Sequence, residues 1–257
     1  MELDSDLNLS EPFYDVNSAP PPNQGTIDRY IIQKNLLDNP TKCSYIYLCT
    51  DSFDHQDKIL KFIKLYENEI ERVKNEITTM RIVQHPNIIK MENYFRYGPY
   101  VCITLPYTPH RCLYWLITQY YRNGLEEDIA ISIMKQILSA VDYLHSNNIW
   151  HRDIKINNIL LFDSIPNNTN DSENITDQQN ADNTNNTSSS TSENSSNCSI
   201  IPKTFTNIPI AVLSDFGFAK IFSPGEKSTS YMGTLKYVAP EIINHIPYDS
   251  SADIWSL

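Results

Sequence analysis

His151-Arg152-Asp153-Ile154-Lys155-Ile156-Asn157-Asn158 sets a carboxylate, an ammonium and an amide within one short segment. At that spacing Asp153 can orient and deprotonate a hydroxyl, Lys155 can neutralise a migrating phosphoryl group, and Asn158 can hold a magnesium ion. Phosphoryl transfer is mostly positioning plus charge compensation, so the remaining needs are metal-binding oxygens and a cation for the phosphates. A lone His-Arg-Asp carries little weight. Here it is followed in order by Asp215-Phe216-Gly217 and Ala239-Pro240-Glu241, and preceded by strand-borne lysines and a glutamate, Glu76, in a helical pattern.

These side chains need a scaffold, and the apolar pattern supplies one. Tyr30–Leu37, Ser44–Thr50, Lys58–Ile63 and Tyr100–Leu105 read as strands, with Asp38-Asn39-Pro40 as a turn. Ile70, Val73, Ile77 and Met80 recur on one face of a helix that His85-Pro86-Asn87 stops. After an extended Pro106–Pro109 connector and a short helix at Leu113–Tyr121, a long stripe of Ile129, Ile133, Ile137, Val141 and Leu144 is expected to be widened by Met134 and Leu138 into a core helix. Ile159–Phe162 and Ala211–Leu213 read as short strands flanking the chemistry. Three lysines, Lys58, Lys61 and Lys64, lie on one strand and can be read as solvated edge charges. If one of them serves the phosphates, Lys61, fifteen residues before Glu76, fits a strand-to-helix path better than Lys64, twelve before it.

From about Tyr30 to Leu257 these motifs resemble the eukaryotic protein kinase family, in particular serine/threonine kinases of the calcium/calmodulin-dependent-like or cyclic-nucleotide-dependent-like groups. The resemblance implies an α+β, bilobal fold: a small antiparallel sheet with one helix over 27–106, and a larger, mainly helical lobe over 107–257. It implies ATP and Mg2+ as cofactors, with Asn158 and Asp215 as metal ligands and Lys61, paired with Glu76, on the phosphates. Leu105 matches the gatekeeper position, Tyr107 the hinge and Leu160 the side chain beneath the adenine. Met80, Met91, His151 and Phe216 match a spine with Asp253 at its base, so His151 is expected to pack rather than act as a base. Lys155 and Gly233-Thr234-Leu235-Lys236-Tyr237 match the serine/threonine type, making a protein serine or threonine the implied acceptor and Thr234 part of the catalytic set. Arg152 before the base implies a phosphate on the activation segment, expected on Ser230 and held with Lys220, although Ser228–Tyr231 also reads as a plain hydrophilic loop.

The sequence departs from the family in two places. The three glycine positions of the nucleotide loop hold Asn39, Thr41 and Ser44, where a β-carbon obstructs the approach of backbone amides to phosphate. Ile59 replaces the usual alanine, and Asn157 a glutamate that some members use to read basic substrates. The chain also stops at Leu257 within the helix that is central to the larger lobe, leaving Glu241 without its expected arginine, so an incomplete product or fragment is expected. The rival reading is a pseudokinase that keeps the fold as a binding or scaffold module.

Net charge is −11, but it resides in two stretches without Lys or Arg. Glu2, Asp4, Asp6, Glu11 and Asp15 fall in residues 1–25; Asp163, Asp171, Glu173, Asp177, Asp182 and Glu193 fall in 163–202. The rest is formally neutral, so neither nucleic acid nor membrane is implied as a partner. Residues 1–26, with Ala19-Pro20-Pro21-Pro22, and the Asn/Ser/Thr-rich insert at about 163–202 are expected to be disordered. Enlarging a loop from roughly 10 to roughly 50 residues adds only about 1.4 kcal/mol of closure entropy, so the fold can carry the insert. Five cysteines without CxxC spacing predict reduced thiols, and the acidic N-terminus without an apolar run predicts a cytoplasmic protein.

Overall fold

The computed structural model describes residues 21–36, 44–66, 69–163 and 208–257. The Asp38–Pro40 turn, Asn39 and Thr41, residues 1–20 and the insert over 164–207 lie outside them. Six strands form one antiparallel sheet in the order β1-β2-β3-β4-β6-β5. These are β1 (Gly25–Ile27), β2 (Tyr30–Asn35), β3 (Ser44–Asp51), β4 (Asp57–Lys64), β5 (Asn93–Tyr97) and β6 (Tyr100–Pro106). Strand β1 starts ahead of the expected boundary at residue 27. Gly25 and Thr26 pair with Ile32 and Ile31, and the Tyr47 hydroxyl donates to the Pro21 carbonyl at 3.0 Å.

The sheet separates two cores. Leu60 and Phe62 of β4 join Tyr30, Tyr47, Tyr100, Cys49 and Cys102 in an aromatic-rich cluster on one face. Burial pushes the Cys49 thiol up to about 12 and raises that of Cys102, so both stay protonated. On the other face Ile63, Val101 and Ile103 pack with Val73, Ile77 and Met80 of helix α1 (Ile70–Ile82). The same apolar cluster continues into the helical part through Leu113 and Leu116 of α2 (Leu113–Tyr120) and Ile133, Ile137, Ala140, Val141 and Leu144 of α3 (Glu127–Ser146). Met134 and Leu138 do not widen that buried stripe: they are 40% and 44% exposed, on the flank of α3 beyond the contact with its neighbours.

Two short ladders follow. β7 (Ile149–Trp150) pairs with β10 (Lys220–Ile221), and β8 (Ile159–Phe162) pairs with β9 (Ile210–Leu213). Helices α4 (Pro240–Ile243) and α5 (Ser251–Ser256) complete the described fold. The strand that delivers Asp215 is clamped from above: Leu213 N–H donates to Asn87 O at 2.8 Å, Ile89 N–H donates to Leu213 O at 2.9 Å, and the Asn87 amide donates to Ala211 O at 2.9 Å. His85-Pro86-Asn87 therefore does more than end α1. It ties the helix of the sheet lobe to the strand leading into Asp-Phe-Gly.

Candidate active site

Strand parity decides which lysine reaches the site. Alternate residues of a strand face opposite ways, so Leu60, Phe62 and Lys64 share the aromatic face while Lys61 and Ile63 face α1. Lys61 Nζ lies 2.7 Å from Glu76 Oε1 and 2.8 Å from Asp215 Oδ1. Burial opposes the ammonium, but Glu76 and Asp215 outweigh it and raise the Lys61 pKa above the usual lysine value. Lys61 in turn holds the Asp215 carboxyl well below the usual carboxylate range, against the opposing effect of burial. Lys58 and Lys64 are not solvated edge charges, being 6% and 7% exposed; Lys58 pairs with Glu92 and Asp54, and Lys64 lies over the Tyr66 ring.

Gly217 keeps a tight space open here and has no unusual φ. A β-carbon at this position would lie 3.2 Å from Arg72 Nη1, 3.3 Å from Asp215 Oδ1 and 3.5 Å from Glu76 Oε2.

A second cluster forms on the loop between β7 and the short 3-10 turn Ile156–Asn158. Asp153 is 4% exposed. Its Oδ1 accepts from the Thr234 hydroxyl at 2.7 Å, and its Oδ2 from Lys155 Nζ at 2.6 Å and the Asn158 amide at 3.2 Å. Lys155 Nζ also donates to Thr234 Oγ1 at 2.9 Å, closing a three-membered network. The Asn158 carbonyl accepts from both Ser214 N–H and its hydroxyl, at 2.8 and 2.9 Å. Ser214 thus joins the two clusters, because the next residue is Asp215.

Backbone support comes from Asp253, 2% exposed, which accepts from the N–H groups of His151 at 2.9 Å and Arg152 at 2.7 Å and contacts His145 Nε2 at 2.9 Å. Arg152 sits at φ 64, and these bonds hold that strained turn. His151 is fully buried, packs edge-on against Phe216 and has its pKa lowered by burial. Its Nε2 faces Ser214 O at 3.1 Å while Nδ1 accepts from Asp153 N–H at 3.3 Å, a pattern satisfied by the neutral Nε2–H tautomer.

Leu105 is opposite Ile59 across β4 and β6, and Leu105 and Leu160 both pack, half-buried, against the main core. Tyr107, also half-buried, precedes Thr108, whose hydroxyl is hydrogen-bonded to Leu161 O next to Leu160. Ser44 opens β3 opposite Ile63.

The expected regulatory trio does not converge. Arg152 Nε donates to Phe218 O at 2.7 Å, and its guanidinium lies over the Phe222 ring. Lys220 also sits over Phe222 and pairs with Glu226 at 3.5 Å. Ser230 instead bonds to Ser228, and its carbonyl accepts from the Tyr248 hydroxyl at 3.0 Å. The sequence reading had no role for Glu226 or Ser214; only their positions six after Lys220 and immediately before Asp215 hinted at them.

A family model, the protein kinase domain, matches residues 42–257. The chain belongs to the protein kinase family. It is 31% identical over 265 residues to calcium-dependent protein kinase 5 of Plasmodium falciparum (isolate 3D7), covering 99% of this chain and 38% of that protein. It is 26% identical over 237 residues to serine/threonine-protein kinase PLK4 of Drosophila grimshawi, covering 90% of this chain and 25% of that protein. The kinase domain therefore spans well under half the length of these relatives.

The α+β bilobal architecture and the Asp-Phe-Gly and His-Arg-Asp segments are those of the kinase fold. The family generally uses ATP and magnesium, and the donor set suits a hard cation. Asn158 spends its side-chain N–H groups on Asp153 and its main-chain carbonyl on Ser214, which leaves its side-chain oxygen Oδ1 as a donor, and Lys61 occupies only Oδ1 of Asp215. No cluster of three or more His, Cys, Asp or Glu that could hold a metal ion exists among the described residues. No helix among the described residues is long and apolar enough to cross a membrane. The three described cysteines, Cys49, Cys102 and Cys112, are free thiols.

Proposed function

We propose that this kinase domain transfers the γ-phosphoryl group of ATP to serine or threonine hydroxyls of protein substrates. Residues 27–106 cover the nucleotide and 107–257 carry the acceptor-side machinery. Asp153 orients the hydroxyl and takes its proton as the acceptor oxygen bonds to phosphorus and the bond to the ADP oxygen breaks. Lys155 neutralises the transferring group, and Thr234 fixes Lys155 and Asp153 relative to each other. Lys61, aligned by Glu76, holds the α- and β-phosphates. Asn158 and Asp215 hold magnesium, which supplies charge neutralisation at the terminal phosphates. Leu105, Tyr107 and Leu160 border the adenine, and Asn39, Thr41 and Ser44 belong to the nucleotide loop. His151, kept neutral, stays a packing element. Ser230 is a regulatory phosphate acceptor whose charge would draw Arg152 from Phe218 and Lys220 from Glu226.

The observation that carries this reading is the linkage of Lys61–Glu76–Asp215 to Asp153–Lys155–Thr234 through the Ser214–Asn158 bonds. The test measures Mg-ATP binding beside transfer of labelled phosphate for the wild type and Asp153→Asn. Transfer by the wild type alone, with both proteins binding nucleotide, is expected. A pseudokinase scaffold is the second reading, favoured by the Asn39, Thr41 and Ser44 substitutions at glycine positions. Equal, negligible transfer by both proteins would establish that reading instead.

A further inference from the structure

Next to the base, the activation segment presents a corner whose side chains the fold leaves unused. Tyr237 N–H donates to Thr234 O at 2.8 Å, so residues 234–237 form a turn with Leu235 and Lys236 at its two central positions. The turn is pinned at both ends. Thr234 is held by Asp153 and Lys155, and the Tyr237 carbonyl accepts from the Ser256 hydroxyl at 2.8 Å. Gly233, at φ +104, packs so closely that a β-carbon would lie 2.9 Å from Arg152 O. The corner therefore has a fixed position relative to Asp153, and a chain delivering a hydroxyl to Asp153 passes beside it.

Leu235 is 68% exposed, and Lys236 is exposed and makes no ion pair or hydrogen bond within the described residues. Between Phe216 and Tyr237 the charged residues are Lys220, Glu226, Lys227 and Lys236, and the single carboxylate is spent on Lys220 and the Ser223 N–H. Exposed Asn157 adds no negative charge on the catalytic loop.

Resting on the kinase reading above, we propose that Lys236, with Leu235 as its apolar neighbour, is a specificity-determining residue that selects an acidic side chain close to the acceptor serine or threonine. A basic side chain there meets an unpaired ammonium of like charge. The preferred substrates are thus acidic protein segments.

The test uses the full 257-residue chain and a set of peptides in which Asp, Ala or Lys is placed in turn at each of three positions on either side of one acceptor serine. The wild type is expected to phosphorylate the Asp peptide about fivefold faster than the Lys peptide at one position or more, the range an exposed charge pair supports, and raised salt should shrink that ratio. Lys236→Glu should invert the order at that same position and leave the other positions as they were. Lys236→Gln, which asks less of the fold, should abolish the preference there. A wild-type preference for Lys, or ratios unmoved in both variants, would overturn the inference while leaving the kinase reading intact. Absence of transfer to every peptide would overturn the kinase reading itself, and this inference with it.

Discussion

The catalytic loop and the later activation segment lie side by side, yet they are held in different ways. From His151 to Asn158 the functional residues are mostly buried and bonded to partners far away in sequence, by side chain to Thr234 and by backbone to Ser214 and Asp253. From Lys220 to Tyr231 the polar side chains are mostly exposed and bond to near neighbours, as Lys220 does to Glu226 and Ser228 to Ser230, while the backbone is tied at Ser228 and Ser230 to Tyr248. Long-range, buried bonds over-determine a geometry, whereas short-range, solvated ones can be exchanged at small cost. The loop is built to keep one arrangement, and the segment beside it to accept another.

Substitutions can break or sharpen this contrast. The largest effect is expected for Asp153→Asn, which should lower kcat by about 10²- to 10⁴-fold, the usual contribution of a positioned base, with nucleotide affinity little changed. Phosphate transfer and nucleotide titration check it. Thr234→Ala removes a charged hydrogen bond to that base and should lower transfer about tenfold, with Thr234→Ser restoring it. Failure of the serine to rescue would mean that Thr234 acts through packing.

Ser230→Ala should reduce activity severalfold, less than either change in the catalytic loop, because it removes a phosphate that only adjusts the segment. Unchanged activity, measured together with phosphate stoichiometry by mass spectrometry, would remove Ser230 from regulation. Glu226→Gln should shift stability by less than about 1 kcal/mol in thermal melts, since its partner lies at the surface.

Acid separates the two regions as well. Burial lowers the His151 pKa, so the unfolded chain binds the proton more readily than the folded one. The stability from the neutral ring is therefore present above the ordinary histidine pKa of about 6.5 and is lost as pH falls below it. Melting temperature should drop between neutral and mildly acidic pH, and His151→Phe should flatten that dependence.

Much of this arrangement was legible from local pattern. The α1 stripe placed Glu76 inward, and the spacing from Lys61 to Glu76 selected the lysine that strand parity then explains. β5 escaped notice because all five of its residues are half-buried and show no alternation, and β1, β7 and β10 are only two or three residues long. Apolar periodicity marked Met134 and Leu138 as core because it reports the width of a stripe, not where the neighbouring element ends. The regulatory trio failed to assemble for a related reason. Family position names Arg152, Lys220 and Ser230, but no periodicity fixes how an irregular segment folds back, and Lys220 pairs with Glu226 instead.

Asp253 adds a consequence for the order of assembly. Its carboxylate grips the backbone of residues 151 and 152 across 102 and 101 positions of sequence, so the left-handed turn at Arg152 has no anchor until α5 has docked. Contacts of such separation form late, after shorter loops have closed. During synthesis the domain can fold its sheet and bury its first helix well before the proton acceptor is locked in place.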